Sequence, residues 1–182
     1  MDPSEPPDRL VRLAVDLVNL PGGRLDAADL AGFLIDHGEP APVELTVRDV
    51  DQLTQVRAEL SEVFDAAGAG PGGADAAAER VNRLLDRAQT PPRLSNHDGT
   101  AWHLHITADE APWADWLAAT AGLGLARMLA EDGVARLGRC AARSCGRVFA
   151  GGPRNHPRRY CSPACANRAR VAAFRARRHP AS

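Results

Sequence analysis

The chain has 182 residues, of which 45% are apolar and 25% are charged, a composition typical of a soluble globular protein with a buried core. The sequence has no run of about eighteen apolar residues and no secretory signal pattern. We therefore expect neither membrane insertion nor export, and we predict a cytoplasmic location. The net charge is only −1, but the charges are unevenly distributed along the chain.

Two amphipathic helices are predicted first. Apolar residues at helical spacing between Pro7 and Pro21 indicate a helix that the second proline ends. Asp26 is suited to cap a short second helix, and Gly38 is placed to stop it. The residues of this helix that we expect to face the core are Leu30, Phe33 and Leu34.

A third and a fourth helix follow. Thr46, with Asp49 three residues later, resembles a capping box at the start of the third helix, and the glycines of segment 68–73 close it. Residues 75–89 are predicted to form the fourth helix, which ends before Pro91 because proline cannot continue a helix.

The hydrophobic period then changes to two, which indicates a small β-hairpin. Residues 102–107 alternate between apolar and polar after an Asp98-Gly99 turn signal. His103 and His105 fall on one face of this strand. They could supply two metal ligands, but no third ligand lies nearby in the sequence, and we expect this face to be solvated.

A long apolar helix completes the first part of the chain. Thr107 and Glu110 resemble a capping box for it, and the pattern ends near Gly133. Trp113 and Trp116 lie three residues apart in this helix and are expected in the core rather than in a ligand cage. No phosphate loop, nucleophile elbow or activated nucleophile is recognisable, so we do not expect an enzyme.

The charge distribution divides the chain at residue 135. Residues 1–135 contain 10 arginines and all 23 acids, a net charge of −13, whereas residues 136–182 contain 12 arginines and no acid. We therefore predict two domains, a helical effector or partner domain (1–135) and a basic domain (136–182). A basic segment on an acidic body is typical of nucleic-acid-binding proteins.

All four cysteines lie in the basic domain as two close pairs. Cys140 and Cys145 form the first pair, and Cys161 and Cys165 form the second after fifteen intervening residues. Two such pairs suit one structural, tetrahedral Zn²⁺ per chain. The alternatives are two disulfides, which a reducing compartment disfavours, and free thiols, which would leave so small a domain without a staple.

The second cysteine pair lies at a predicted helix start. Ser162 is a good N-cap, Pro163 suits the first helical position, and Cys165 falls in the first turn. A ligand just before a helix and another in its first turn are typical of treble-clef zinc sites. The predicted fold is therefore mainly α, a helical domain with a small β-hairpin followed by a small treble-clef-like, four-cysteine zinc finger.

Three segments of the basic domain together resemble the CGNR zinc finger family. They run from Cys140 to Gly146, from Arg154 to Ser162, and from Cys165 to Val171. The naming motif corresponds to Cys165-Ala166-Asn167-Arg168, with Ala166 in place of the usual glycine. The chain also has Gly151 and Pro153 where the family tends to have Asp and Ser. The resemblance implies zinc binding and DNA binding.

The helical domain resembles the ABATE family, the proposed stress-induced transcription regulators that usually precede this finger. The residues that carry this resemblance are Asp16, Leu17, Val18 and Asn19. The two resemblances together cover almost the whole chain. They imply a transcription regulator, with an unidentified small-molecule effector or protein partner at the helical domain.

Arginines are the candidate nucleic-acid contacts. On the last helix they form two stripes that flank Val171 and Phe174, which we expect to pack on the zinc knuckle or on the body. Arginines also precede Cys161. Two alternatives stay open: the arginines dock on the acidic body, and Asn167 and Arg168 support the zinc loop instead of contacting bases. The predicted contacts are Arg154, Arg158, Arg159, Asn167, Arg168, Arg170, Arg175, Arg177 and Arg178.

The sequence thus favours a zinc-finger transcription regulator that binds duplex DNA. One rival is an RNA- or ribosome-associated zinc protein, because basic zinc knuckles also bind RNA. A second rival is a redox switch in which thiol oxidation ejects zinc. Duplex DNA is favoured over RNA because few exposed aromatic residues are available for base stacking.

Overall fold

A computed structural model describes residues 9–23, 25–88, 93–95, 103–108, 110–152 and 158–178. Its helices are α1 (Arg9–Val18), α2 (Ala27–Asp36), α3 (Val47–Ala67), α4 (Gly73–Leu85), α5 (Trp113–Asp132) and α6 (Pro163–Arg178). Its strands are β1 (Arg93–Ser95), β2 (His103–His105), β3 (Leu137–Arg139) and β4 (Val148–Ala150). β1 pairs antiparallel with β2, and β3 pairs antiparallel with β4. The predicted fold class, mainly α with a small hairpin and a four-cysteine finger, is confirmed.

Local sequence signals account for the starts of α2 and α3. The side chain of Asp26 accepts a hydrogen bond from the Asp29 backbone N–H, and Asp29 accepts one from the Asp26 N–H. Thr46 and Asp49 make the same reciprocal pair at the start of α3. The Asp26 cap and the Thr46–Asp49 capping box were predicted, whereas the reciprocal bond of Asp29 was not. Each box satisfies two backbone donors that the helix itself leaves without partners.

The predicted start of α5 is wrong. Thr107 and Glu110 do not cap it, and the helix begins at Trp113, directly after Pro112. Proline disfavours helical backbone angles at the residue before it, so Pro112 disfavours a helix that runs from Thr107 through Ala111. The carbonyl of Pro112 instead accepts the first helical hydrogen bonds of α5.

The core is formed by α1, α3, α4 and α5, with α2 packed on α3. α5 approaches α1 so closely at Gly124 that a Cβ atom there would lie only 2.6 Å from the Cβ of Leu10. The second hairpin belongs to the same core: Leu137, Val148 and Ala150 are buried among the helical residues. The first strands of the basic domain are therefore built into the helical body. The division at residue 135 stays a prediction.

Polar contacts also hold the second hairpin on the body. The side-chain amide of Asn19, just after α1, donates to the Val148 carbonyl and accepts from the Val148 N–H, both at 2.9 Å. On the other strand, Arg139 Nε lies 2.6 Å from Asp65 Oδ1, and Arg139 also donates to Ser61 Oγ of α3. Asn19 therefore satisfies the backbone N–H and carbonyl of Val148 in β4, as a neighbouring strand would.

We expect the Asn19→Ala variant to lose about 1–3 kcal/mol of unfolding free energy, because Val148 would keep a buried N–H and carbonyl without partners. Urea denaturation of the two proteins measures this difference. Asn82→Ala, which removes an exposed amide on α4, is the matched control and should change stability little. Equal losses in the two variants would show that Asn19 does not hold the hairpin.

No helix in the described part of the chain has the length and hydropathy that crossing a membrane requires.

Candidate metal centre and nucleic-acid interface

The four cysteines converge on one point. Cys140 follows β3, Cys145 lies in the turn before β4, and Cys161 and Cys165 stand at the start of α6. Their four Sγ atoms all lie within 4.8 Å of one another. The Cys145–Cys161 and Cys161–Cys165 sulfurs are 3.6 Å and 3.5 Å apart. Four sulfurs placed tetrahedrally at about 2.3 Å from one ion would be about 3.8 Å apart, so the set fits a metal.

The cysteines are not disulfide-bonded, which excludes the predicted disulfide alternative in this structure. The sulfur separations also exceed by far the S–S bond length of about 2.05 Å. Free core thiols are not the best description either, because the four sulfurs share one site. The four-cysteine metal centre is therefore the arrangement that the geometry supports.

Short backbone contacts position the ligands. The Ala141 N–H donates to the Arg159 carbonyl, which joins the two cysteine-bearing loops, and the Cys161 N–H points at Cys140 Sγ at 3.4 Å. Ser162 caps α6 as predicted, since its Oγ accepts from the Cys165 N–H at 3.2 Å. Each ligand thus comes from a loop or helix start whose geometry the sequence specifies.

The thiols do not ionise equally. A hydrogen bond from the Ser162 side chain, helped by one from Cys161, lowers the pKa of Cys165 to about 7. Burial, together with hydrogen bonds to the other three cysteines, raises the pKa of Cys161 to about 12. An ionised thiol in this cluster therefore disfavours ionisation of its neighbours. A divalent cation would favour ionisation of all four thiols, because it would neutralise the shared negative charge.

Comparison with known families agrees with this geometry. The CGNR zinc finger model matches residues 136–178. The ABATE model, described as "Putative stress-induced transcription regulator", matches residues 11–138 and so covers most of the chain. The chain belongs to the ABATE family. Both predicted resemblances are confirmed, and the protein is a regulator at the family level. No curated protein matches it.

Within the CGNR finger, Arg168 contacts the metal centre directly. Its guanidinium donates to Cys165 Sγ at 2.9 Å. This contact supports the alternative in which Arg168 stabilises the thiolate, as ligand-supporting hydrogen bonds do in other metal sites. Asn167, its neighbour, is exposed.

We expect Arg168→Ala to weaken metal binding about 10- to 100-fold, because the Cys165 thiolate loses its charged donor. Competition with a chromophoric chelator measures the affinity. Arg170→Ala removes the same charge from an exposed position two residues away and should leave metal affinity nearly unchanged. A loss of equal size in both variants would indicate a general charge effect.

The other predicted contacts fall into two groups. Arg158 and Arg159 are exposed in the loop before Cys161; Arg158 also donates to the Tyr160 carbonyl at 2.7 Å and lies 5.3 Å from the Phe149 ring centroid. On α6, Arg170, Arg175 and Arg177 are exposed. Arg154 lies outside the described residues, and the side chain of Arg178 is not described.

Three of the α6 arginines show no docking on the ABATE domain within the described residues. Within the residues that the structure describes, Arg170, Arg175 and Arg177 make no ion pair or hydrogen bond. Val171 and Phe174 keep 47% and 51% of their surface exposed, so the expected packing of these two residues on knuckle or body does not bury them. The guanidinium groups of Arg170, Arg175 and Arg177 are therefore exposed on α6.

Sequence reasoning missed the contacts that join the finger to the ABATE domain. Asn19 was noticed only as part of a family resemblance, and its bonds to Val148 span 129 residues of sequence. Arg139 and Asp65 had no signal at all. Asp132 and Arg136 have the i, i+4 spacing of a helical ion pair, which was available in the sequence but lay across the predicted domain boundary.

Proposed function

We propose that this protein is a cytoplasmic transcription regulator whose CGNR finger holds one structural Zn²⁺ and binds duplex DNA through arginines of α6 and of the loop before Cys161. The observation that carries the proposal is that Arg170, Arg175 and Arg177 on α6 are exposed and make no ion pair or hydrogen bond within the described part of the chain. They belong to a domain with 12 arginines and no acid. With four thiolates and one Zn²⁺, that domain has a net charge of about +10, which favours binding to phosphate.

Zinc is proposed because four sulfur ligands in tetrahedral arrangement are its usual structural site. Such a site has no open coordination position for substrate or water. We therefore propose that the metal stabilises the folded finger and that the protein is not an enzyme.

Salt dependence tests the nucleic-acid part of the proposal. If about six phosphates are neutralised, the slope of log affinity against log salt should be near −5. Changing Arg175 and Arg177 together to Ala should flatten that slope by up to about two units. The measurement is a titration of the zinc-loaded full chain with a fluorescent duplex between about 50 and 200 mM salt.

The control for this titration removes the same amount of charge from the ABATE domain. Arg48 and Arg83 are exposed on α3 and α4, so the Arg48→Ala/Arg83→Ala variant changes net charge equally without touching the finger. Its slope should match that of the unmodified protein. Binding that is undetectable at the lowest salt would refute the proposal. Tighter binding to single-stranded RNA than to the duplex would favour the RNA rival.

We also propose that a small-molecule effector binds the ABATE domain in a groove between α1 and α2. It is open, has a volume of about 600 Å³, and is lined by Arg12, Asp16, Phe33 and His37 among others. His37 Nε2 lies 3.4 Å from Asp16 Oδ2, and burial lowers the pKa of His37 from its usual value. Asp16 precedes Asn19 by three residues, so α1 connects the groove to the finger. A metabolite that raises the melting temperature, and that loses this effect in the Arg12→Ala/Asp16→Asn variant, would identify the effector.

A further inference from the structure

α6 has two chemically different faces. At 100° per residue, Asn167, Val171 and Phe174 fall within an arc of about 60°. Arg170 and Arg177 border this arc on one side, and Arg168 and Arg175 border it on the other. Position 178, the last of α6, falls within the arc at the C-terminal end of the helix. The arc is centred about 150° from the buried Cys165, so it points away from the metal centre. We call Asn167, Val171 and Phe174 the outer face of α6.

The outer face is accessible. Asn167 is exposed, and Val171 and Phe174 are about half exposed. The remaining non-arginine positions of α6 beyond Asn167 are alanines, so the helix is slender. Phosphate binding needs only the arginines. The partly exposed surfaces of Val171 and Phe174 therefore add apolar area to a strongly basic, solvent-facing surface.

The chemistry of the outer face matches the major groove of duplex DNA. That groove is about 12 Å wide and admits an α-helix. The thymine C5-methyl is the apolar group on its floor, and an Asn side chain can form two hydrogen bonds to adenine there. The major groove of duplex RNA is too deep and narrow for side chains to reach the bases. The bordering arginines suit phosphates or guanine.

We propose that the outer face of α6 recognises thymine methyl groups in the major groove, with Val171 and Phe174 making the apolar contacts and Asn167 contacting an adjacent adenine. This inference rests on the proposed duplex-DNA binding and adds sequence preference to it. Arg170, Arg175 and Arg177 then position the helix on the backbone or on guanines that flank an A·T-containing centre.

The experiment compares duplexes with and without the methyl group. The zinc-loaded full chain is first used to select binding sites from a duplex library with a randomised centre. The enriched duplex is then synthesised with thymine or with deoxyuridine, which lacks only the C5-methyl. We expect the deoxyuridine duplex to bind about threefold to fourfold more weakly per contacted methyl, the equivalent of about 0.8 kcal/mol for each buried carbon.

Variants assign the effect to the outer face. Val171→Ala/Phe174→Ala should bind the thymine and deoxyuridine duplexes with nearly equal affinity, and alanine preserves the helix. Ala172→Ser/Ala173→Ser changes exposed positions about 130° away from the outer face and should keep the thymine preference. Circular dichroism and metal content verify that each variant is folded.

The outcomes separate this inference from the proposed function. Duplex binding with no enriched sequence, or with equal affinity for thymine and deoxyuridine, would overturn the thymine inference and leave DNA binding intact. Thymine preference that survives Val171→Ala/Phe174→Ala would also overturn it. A full chain that binds no duplex at low salt would overturn both proposals.

Discussion

Replacing Cys161 by Ser should abolish tight metal binding and unfold the finger beyond β4, while the helical body and the second hairpin stay folded. The buried cluster of the finger consists of Cys140, Ala142 and Cys165, with Cys145, Tyr160 and Cys161 packed against it. The metal ligands therefore form most of the finger's own core. Without the metal, little apolar burial would hold α6 in place, and structural zinc contributes about 10–16 kcal/mol to small domains of this kind.

Two measurements test whether the metal is lost and which elements unfold with it. Elemental analysis of anaerobically purified protein should find one zinc per unmodified chain and much less in Cys161→Ser. Amide hydrogen exchange should show lost protection in α6 and in the loop before it, with retained protection in α3, α5 and β4.

The control for this variant is Ser144→Ala, an exposed position between the first two ligands that should keep the metal. Full metal content in Cys161→Ser would contradict the four-cysteine site. Loss of protection throughout α3 and α5 would show that the metal also stabilises the ABATE domain.

Local signals predicted much of the fold and nearly all of the metal centre. Asp26 and Thr46 cap helices as expected, because capping depends on residues three positions apart. The cysteine pairs and Ser162 located the metal centre for the same reason, since each pair lies within one turn or one helix start. The start of α5 differs from the prediction because Pro112 restricts the backbone of the residue before it, and the capping-box pattern of Thr107 and Glu110 does not include this restriction.

Local sequence signals could not predict how the finger packs on the ABATE domain. The sharp change in charge predicts a boundary at residue 135, and that division stays a prediction. Leu137 and Val148, which lie beyond it, pack in the core of the helical body. Charge is a property of the surface, whereas the extent of a domain is decided by burial. Which helix a short apolar strand packs against depends on contacts over more than a hundred residues, such as Asn19 with Val148, and a single sequence has no local signal for them.

The largest loss of stability from a single charge should come from Asp132→Ala. Asp132 at the end of α5 pairs with Arg136, just before β3, and their side chains are only 2% and 7% exposed. Removing the carboxylate would leave the guanidinium buried without its counter-charge. Among the described residues, Arg136 Nε already has no hydrogen-bond partner. Breaking a buried ion pair from one side costs about 3–5 kcal/mol.

Comparison with an exposed pair and with a double variant tests whether burial causes the loss. Glu131→Ala removes the carboxylate next in sequence, which lies 3.9 Å from Arg127 on the surface of the same helix, and should cost less than about 1 kcal/mol. Asp132→Leu/Arg136→Met replaces both charges by apolar side chains and should recover most of the stability that Asp132→Ala loses, because no charge then remains buried. Urea denaturation gives all three free energies. If Asp132→Ala costs no more than Glu131→Ala, water reaches the pair and it does not lock α5 to the hairpin. If the double variant is as unstable as Asp132→Ala, the packing of these side chains stabilises the junction, and their charges do not.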